Sequence, residues 1–552
     1  MEDFSGADLI ADALAQMEVE HVFAIVSIHN MPILDAINRL GKTQIIDVRH
    51  EQAGTHAADG YARASGKLGV MIASTGPGTS NTVTGLYEAQ YGSSRVLVIT
   101  GQAETAFYGK GLAYVHEAEK QVPMLASVCR RVESPRSPSQ LGSALQTVLN
   151  DMYTGRGAPG ALEIPIDIQY ASNQPVTLTL PNNAQFVPDE KGLDHVVDAL
   201  SQARRRILLV GGGVIAAGAH AEVQALAEQL QIPVLTTVDG RGVMPEDHPL
   251  CIGNYYNSAG MYKAIGDADL TLAIGTKFAV GVDGQFAAQT PPGKLVHIDI
   301  DSNMIGRTHQ AHVGLVADAR MALLGINQRI PELQANDAQF SDKILHAGDG
   351  IRQAMRGRLG TDWPQVMDCI REKLPRESVF VRDQTISAYN WGNQQFPIMA
   401  PRTSINPTSG AIGPGFPMSV GAAIASQRSG DAKTLVIHGD GGFMFHATEL
   451  ATCAQYQVPL IICVFNDSGY GVLRYLQQNR FGRINETDLG KVAFAQMAQS
   501  MGVPGERVAS VDAFAQALDN ALAATGPYLI DVDMEHFAPM EISVMPKPKS
   551  ER

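Results

Sequence analysis

Residues 437–473 read IHGDGGFMFHATELATCAQYQVPLIICVFNDSGYGVL. An apolar run over residues 434–437 leads into Gly439-Asp440-Gly441-Gly442, a helical stretch covers 446–456, and a second apolar run over 459–465 leads into Asn466-Asp467. Strand, glycine turn, helix, strand and polar loop make a βαβ unit. Such a unit delivers Asp440 and Asn466 to the same strand-end edge of a parallel sheet. Both offer oxygen, the ligand atom of a hard cation such as Mg²⁺, which is usually shared between one or two protein groups and a phosphate. Glycines let backbone N–H groups approach a diphosphate with no Cβ in the way, and the helix start adds positive potential. A plain glycine turn would give the same triplet, but not the spacing from Asp440 to Asn466.

Composition narrows the class of molecule. With 552 residues there is chain enough for about three to four domains. A hydrophobic share of 45% against 18% charged residues points to a globular protein with ample core. The formal charge of −14 argues against nucleic acid or an anionic membrane as partner. Cys129, Cys251, Cys369, Cys453 and Cys463 show no CxxC spacing and read as reduced core thiols, which together with the lack of a signal-like or membrane-length apolar run predicts a cytoplasmic location.

Residues 1–172 alternate helical and strand patterns: Ser5 caps a helix carrying Leu9, Ile10, Leu14 and Met17, and HVFAIV, IIDVR, GVMIAS and RVLVIT read as short buried strands. That predicts a doubly wound parallel sheet. Arg49-His50-Glu51 closes the second strand and opens the helix EQAGTHAADGYARASG, where Glu51 at minimum is a carboxylate favoured by the helix dipole. Residues 74–81, STGPGTSN, read as strand end, tight loop and helix start with Asn81 as a cap. Residues 172–192 are Pro-, Asn- and Gln-rich and read as a linker. A second α/β domain spans 193–330, with Gly211-Gly212-Gly213-Val214-Ile215-Ala216 matching the weak GxGxxA nucleotide pattern. After a polar helical connector, a third domain spans 363–540, and in it 409–417, SGAIGPGFP, forms a glycine-rich loop before a helix.

These motifs together resemble the thiamine-diphosphate-dependent superfamily of acetolactate synthase, benzoylformate decarboxylase, benzaldehyde lyase and oxalyl-CoA decarboxylase. The likeness covers almost the whole chain: GDG followed by N[ND], and HE followed by ADGYAR, stand where the family has them. It implies three doubly wound parallel-sheet α/β domains, pyrimidine-binding, central and diphosphate-binding. It implies Mg²⁺ on the diphosphate of thiamine diphosphate, held by Asp440, Asn466 and the backbone carbonyl of Ser468. Glu51 would lie beside N1′ of the aminopyrimidine, Ile412 would wedge between the cofactor rings, and the Gly410 carbonyl would accept from the 4′-amino group. Thr385, Ser387, Gly441, Gly442 and Tyr470 would line the rest of the cofactor. His29 and His116 are candidates for proton transfer; His29 has a counterpart in benzaldehyde lyase, and His116 stands where acetolactate synthases carry glutamine. Some relatives hold FAD or ADP in the central domain near the positions of Asp299 and Asp301, but FAD is not the favoured expectation here.

The activity implied is an acetolactate-synthase-like decarboxylase or carboligase of a 2-oxo acid. Two alternatives stand beside it: a lyase for 2-hydroxy ketones (acyloins) or 2-hydroxyacyl-CoA, and a flavin- or NAD-dependent oxidoreductase using GGGVIA. The family assembles as homodimers or homotetramers with sites between subunits. Three positions depart from it. Leu476 replaces the acetolactate synthase tryptophan, Gly281 replaces the arginine for the acceptor carboxylate, and Ser74 replaces the benzoylformate decarboxylase histidine. Losing such an arginine costs on the order of 1.5–3 kcal/mol, about one to two decades in binding.

Overall fold

The computed structural model describes residues 4–181, 186–279, 289–427 and 432–542. Three six-stranded sheets follow one another along the chain, and every strand pair in them is parallel. The first contains β1 (His21–Ala24), β2 (Gln44–Asp47), β3 (Gly69–Ala73), β4 (Val96–Gln102), β5 (Arg131–Glu133) and β6 (Gly160–Pro165), in the order 2-1-3-4-6-5. The second contains β7 (Arg206–Val210), β8 (Val234–Thr236), β9 (Cys251–Gly253), β10 (Leu270–Ile274), β11 (Lys294–Asp299) and β12 (Val313–Val316), in the order 12-11-10-7-8-9. The third contains β13 (Phe380–Arg382), β14 (Ser404–Ile405), β15 (Thr434–Gly439), β16 (Leu460–Asn466), β17 (Gly505–Val508) and β18 (Tyr528–Asp533), in the order 14-13-15-16-18-17.

Numbered within each domain, the first and third sheets have the same strand order, while the second has the open dinucleotide-fold order. Central strands such as β3, β4 and β16 are buried at every residue, as parallel strands covered by helices on both faces must be. That is why they appear in the sequence as unbroken apolar runs rather than alternations. The Ser5 cap forms as expected, with Asp8 completing a capping box, and Met17 becomes the C-cap rather than a helical residue. The helix expected over 446–456 is Glu449–Tyr456, preceded by a short turn of helix at Asp440–Phe443.

The first and third domains share one apolar core that includes Phe23, Ala57, Phe416 and Ile462. At its centre the Glu51–Ser65 and Gly415–Ser426 helices cross backbone to backbone. A Cβ on Gly60 would overlap the carbonyl of Met418, and one on Gly421 would overlap that of Ala57. Because 60 meets 418 while 57 meets 421, the two helices run antiparallel. Arg63 seals the crossing: it pairs with Asp59 at 2.8 Å and donates to the Asn406 carbonyl and the Thr408 hydroxyl at 2.9 Å each. Much of the ADGYAR stretch is therefore explained by packing between domains.

Candidate active site

In the first domain the chemistry-bearing residues gather at the carboxyl ends of β1 to β4. Glu51 follows β2 and is buried; its Oε2 accepts a hydrogen bond from Asn81 Nδ2 at 2.9 Å. Asn81 is thus not the cap expected from the sequence. The N-cap of the Pro77–Gly92 helix is Gly76, and Asn81 lies one turn in, with its amide turned to the neighbouring helix.

His29 and His116 come together, with ring centroids 5.6 Å apart. His29 is buried with no hydrogen-bond partner on either ring nitrogen, and burial, then the positive charge of His116, lowers its pKa. His116 is exposed and in the left-handed region (φ 61°), an unusual conformation for a non-glycine residue. Its loop is tied down by Gln121. The Gln121 carbonyl oxygen accepts from Thr75 Oγ1 (3.0 Å) and Gly76 N (2.8 Å), while its amide donates to the Gly101 carbonyl (3.0 Å) and to Glu163 (2.8 Å). Nothing in the sequence pattern singles out Gln121 or Glu163.

In the third domain a cleft is lined by Gln384, Thr385, Ile412, Gly441, Tyr470 and Leu473. Gly442 also lines it; a Cβ there would press within 3.0 Å of Asp383, Ile412 and His438. Ser387 lies behind, fully buried, its hydroxyl without a partner. Asp383, at the end of β13, accepts from the N–H groups of Gly413 (3.0 Å) and Gly415 (2.9 Å). Gly410, at φ 82°, lies exposed before that loop.

Asp440 is buried, and its Oδ1 has no partner. Burial, then the neighbouring Asp467 carboxylate, raises its pKa. Asn466 is fixed from behind: its Nδ2 donates to Asp531 Oδ1 at 3.2 Å and to the Val492 carbonyl at 3.4 Å. With the donor side occupied, the amide oxygen is turned the other way, where it meets the N–H of Ser468 at 3.2 Å. The Ser468 carbonyl accepts from Leu489 N at 2.9 Å, leaving one lone pair. Among the described residues no three His, Cys, Asp or Glu side chains could hold a metal by themselves. The donor set here suits a hard cation that completes its shell with phosphate oxygen. An orphaned buried carboxylate oxygen beside a second carboxylate fits such a cation.

Glu51 and the segment that leads to Gly410 and Ile412 stand at opposite ends of the Glu51–Ser65 helix: Glu51 begins it, and Arg63, near its end, reaches that segment. At 1.5 Å rise per residue the two ends are about 18 Å apart along the axis.

In the central domain the glycine loop packs on the end of β10: Gly213 N donates to the Gly275 carbonyl at 2.9 Å. Arg156 of the first domain pairs with Asp299 at 2.8 Å and Asp301 at 3.4 Å. Arg156 and Gly275 are thus partners, within the chain, of acids and a glycine that suggested a nucleotide. Gly281, expected at the acceptor position, lies outside the described residues.

Three sequence patterns of the thiamine pyrophosphate enzymes match: the N-terminal TPP binding domain over 4–124, the central domain over 193–326 and the C-terminal TPP binding domain over 386–532. The chain is 30% identical to the probable acetolactate synthase large subunit of Methanocaldococcus jannaschii, across 96% of this chain and 91% of that protein. The chain belongs to the thiamine pyrophosphate enzyme family. Its other relatives include the acetolactate synthase isozyme 2 large subunit of Escherichia coli, 30% identical over 96% of each chain. A probable 2-ketoarginine decarboxylase of Pseudomonas aeruginosa is 33% identical over 84% of this chain and 82% of that one. The two TPP binding domains make thiamine diphosphate the cofactor. Among the described residues no helix is long and apolar enough to cross a membrane.

Proposed function

We propose that this thiamine pyrophosphate enzyme is a Mg²⁺-dependent decarboxylase or carboligase of a 2-oxo acid, working in the cytoplasm as a homodimer or homotetramer. The observation that carries this is the pair of sheet edges with equal strand order, Glu51 and Asn81 on one, Asp440 and Asn466 on the other. The names of the relatives, acetolactate synthase and 2-ketoarginine decarboxylase, support a 2-oxo acid as substrate class.

Bound thiamine diphosphate supplies the electron sink that makes loss of carbon dioxide feasible. Glu51 would hold a proton toward the pyrimidine N1′, its burial limiting competition from water and its Asn81 bond fixing its direction. Ile412 would stand between the cofactor rings, and the Gly410 carbonyl would be the acceptor for the 4′-amino group. Thr385, Gly441 and Gly442 would receive the diphosphate in the cleft that Tyr470 also lines, with Ser387 behind them. Asp440, Asn466 and the Ser468 carbonyl hold Mg²⁺. His29, kept neutral by burial, takes up or returns a proton at the substrate, with His116 as its neighbour. The Glu51 of one chain serves the Asp440 of another; the place of the Ile412 loop at the far end of the Glu51–Ser65 helix supports this.

The test is carbon dioxide release from a panel of 2-oxo acids, with and without an aldehyde acceptor. Release from at least one acid that requires both thiamine diphosphate and Mg²⁺ is expected. The His29–His116 contact favours a second reading, cleavage of acyloins or 2-hydroxyacyl-CoA. Aldehyde release from those compounds, with no carbon dioxide from any 2-oxo acid, would select it.

A further inference from the structure

Residues 406–415 join β14 to the Gly415–Ser426 helix, and buried carboxylates from elsewhere hold the segment near both ends. Near its start, Glu88 accepts from the N–H groups of Thr408 (2.6 Å) and Ser409 (3.1 Å), and from the Ser409 hydroxyl. Glu88 is fully buried and belongs to the Pro77–Gly92 helix of the first domain. Arg63 donates to it at 3.0 Å and to both oxygens of Asp59, at 2.9 and 2.8 Å. At the far end stands Asp383, on the amides of Gly413 and Gly415. Between the anchors, the position of a Cβ on Gly410 is open space, and its N–H donates to the Pro407 carbonyl at 3.3 Å, within the same segment. The segment is thus held from outside at Thr408–Ser409 and again at Gly413–Gly415, on either side of Gly410 and Ile412.

We propose that Glu88 is a positioning residue for the cofactor: through Thr408 and Ser409 it sets where the Gly410 carbonyl and the Ile412 side chain stand. It rests on the thiamine-diphosphate site proposed above. A carboxylate receiving two adjacent backbone amides makes charge-assisted bonds, stronger for being out of water. A glutamine there must turn an N–H toward one of those amides or toward Arg63, so one contact is lost. Arg63 keeps Asp59 as its counter-charge, so the domain crossing survives the change. Asn81, about two helical turns away on the same helix, keeps its bond to Glu51.

The experiment is calorimetric titration of the full-length protein with thiamine diphosphate in the presence of Mg²⁺, for wild type, Glu88→Gln and Ser409→Ala. The near-ultraviolet circular dichroism of the bound cofactor is recorded at saturation. Glu88→Gln is expected to bind about tenfold more weakly or worse and to alter the cofactor signal, with far-ultraviolet dichroism unchanged. Ser409→Ala, which removes the hydroxyl's bond to Glu88 and the longer one it accepts from Ala411 N (3.3 Å), is expected to lose about threefold. Should Glu88→Gln fail to fold, Ser409→Ala decides. Wild-type affinity and signal in the variants that fold would overturn the proposal. A wild type that binds no thiamine diphosphate would overturn the underlying site assignment and this proposal with it.

Discussion

The Glu51 carboxylate and the Asn81 amide meet at 2.9 Å between the first helices to follow β2 and β3. A hydrogen bond to a charged group contributes about 1.5–3 kcal/mol. Asn81→Ala should therefore lower kcat by about tenfold to a hundredfold, with little change in the apparent affinity for Mg²⁺. Steady-state kinetics at saturating cofactor checks this; unchanged kcat would mean the bond has no part in turnover.

His446 is buried, its ring 5.7 Å from that of His56, where the first and third domains meet. Burial first, then the charges of His50 and His438, pushes its pKa from 6.5 down to about 4. As pH falls below 6.5 the unfolded chain takes up a proton that the folded chain refuses until about 4. The stability this histidine secures is complete above 6.5 and is lost across that window, to the extent of about 3 kcal/mol. Urea midpoints at pH 7 and pH 4.5 should therefore differ less for His446→Gln than for wild type.

Asp531 fixes the amide of Asn466 by accepting from its nitrogen at 3.2 Å. Asp531→Asn offers both a donor and an acceptor, so Asn466 can turn over and point its nitrogen at the cation. Groups behind metal ligands typically carry a factor of about ten to a hundred in metal affinity. Titration of activity with Mg²⁺ should show a requirement raised by about tenfold or more.

The architecture was legible because buried parallel strands leave unbroken apolar runs, as in GVMIA and LIICVFN, and because glycine turns mark their ends. The residues that support the site were not. Asn81 acts on a partner 30 positions away, Asp531 on one 65 away and Glu88 on one 320 away. Periodicity reports which face of an element is buried, not which distant polar group it meets. Asp59, Gly60 and Arg63 illustrate the converse. Their motif pointed to the cofactor, whereas these three side chains and backbones hold one domain on the other.

Because Glu51 and the Ile412 loop lie at opposite ends of an antiparallel helix pair, each complete site should draw on two chains. A Glu51→Gln chain and an Asp440→Ala chain, each inactive alone, should regain part of the activity after mixing and subunit exchange. Every hybrid dimer holds one site with both native residues. Exchange shown by mass, with activity still at zero, would refute a shared site.

The most direct measurement needs no substrate: exchange of the C2 proton of bound thiamine diphosphate for deuterium, followed by proton NMR after acid quench. Wild type with Mg²⁺ should accelerate exchange by orders of magnitude over the free cofactor, and Glu51→Gln, loaded to the same extent, should return it close to the free rate. Equal exchange in both proteins, or no acceleration by wild type, would contradict the role assigned to Glu51.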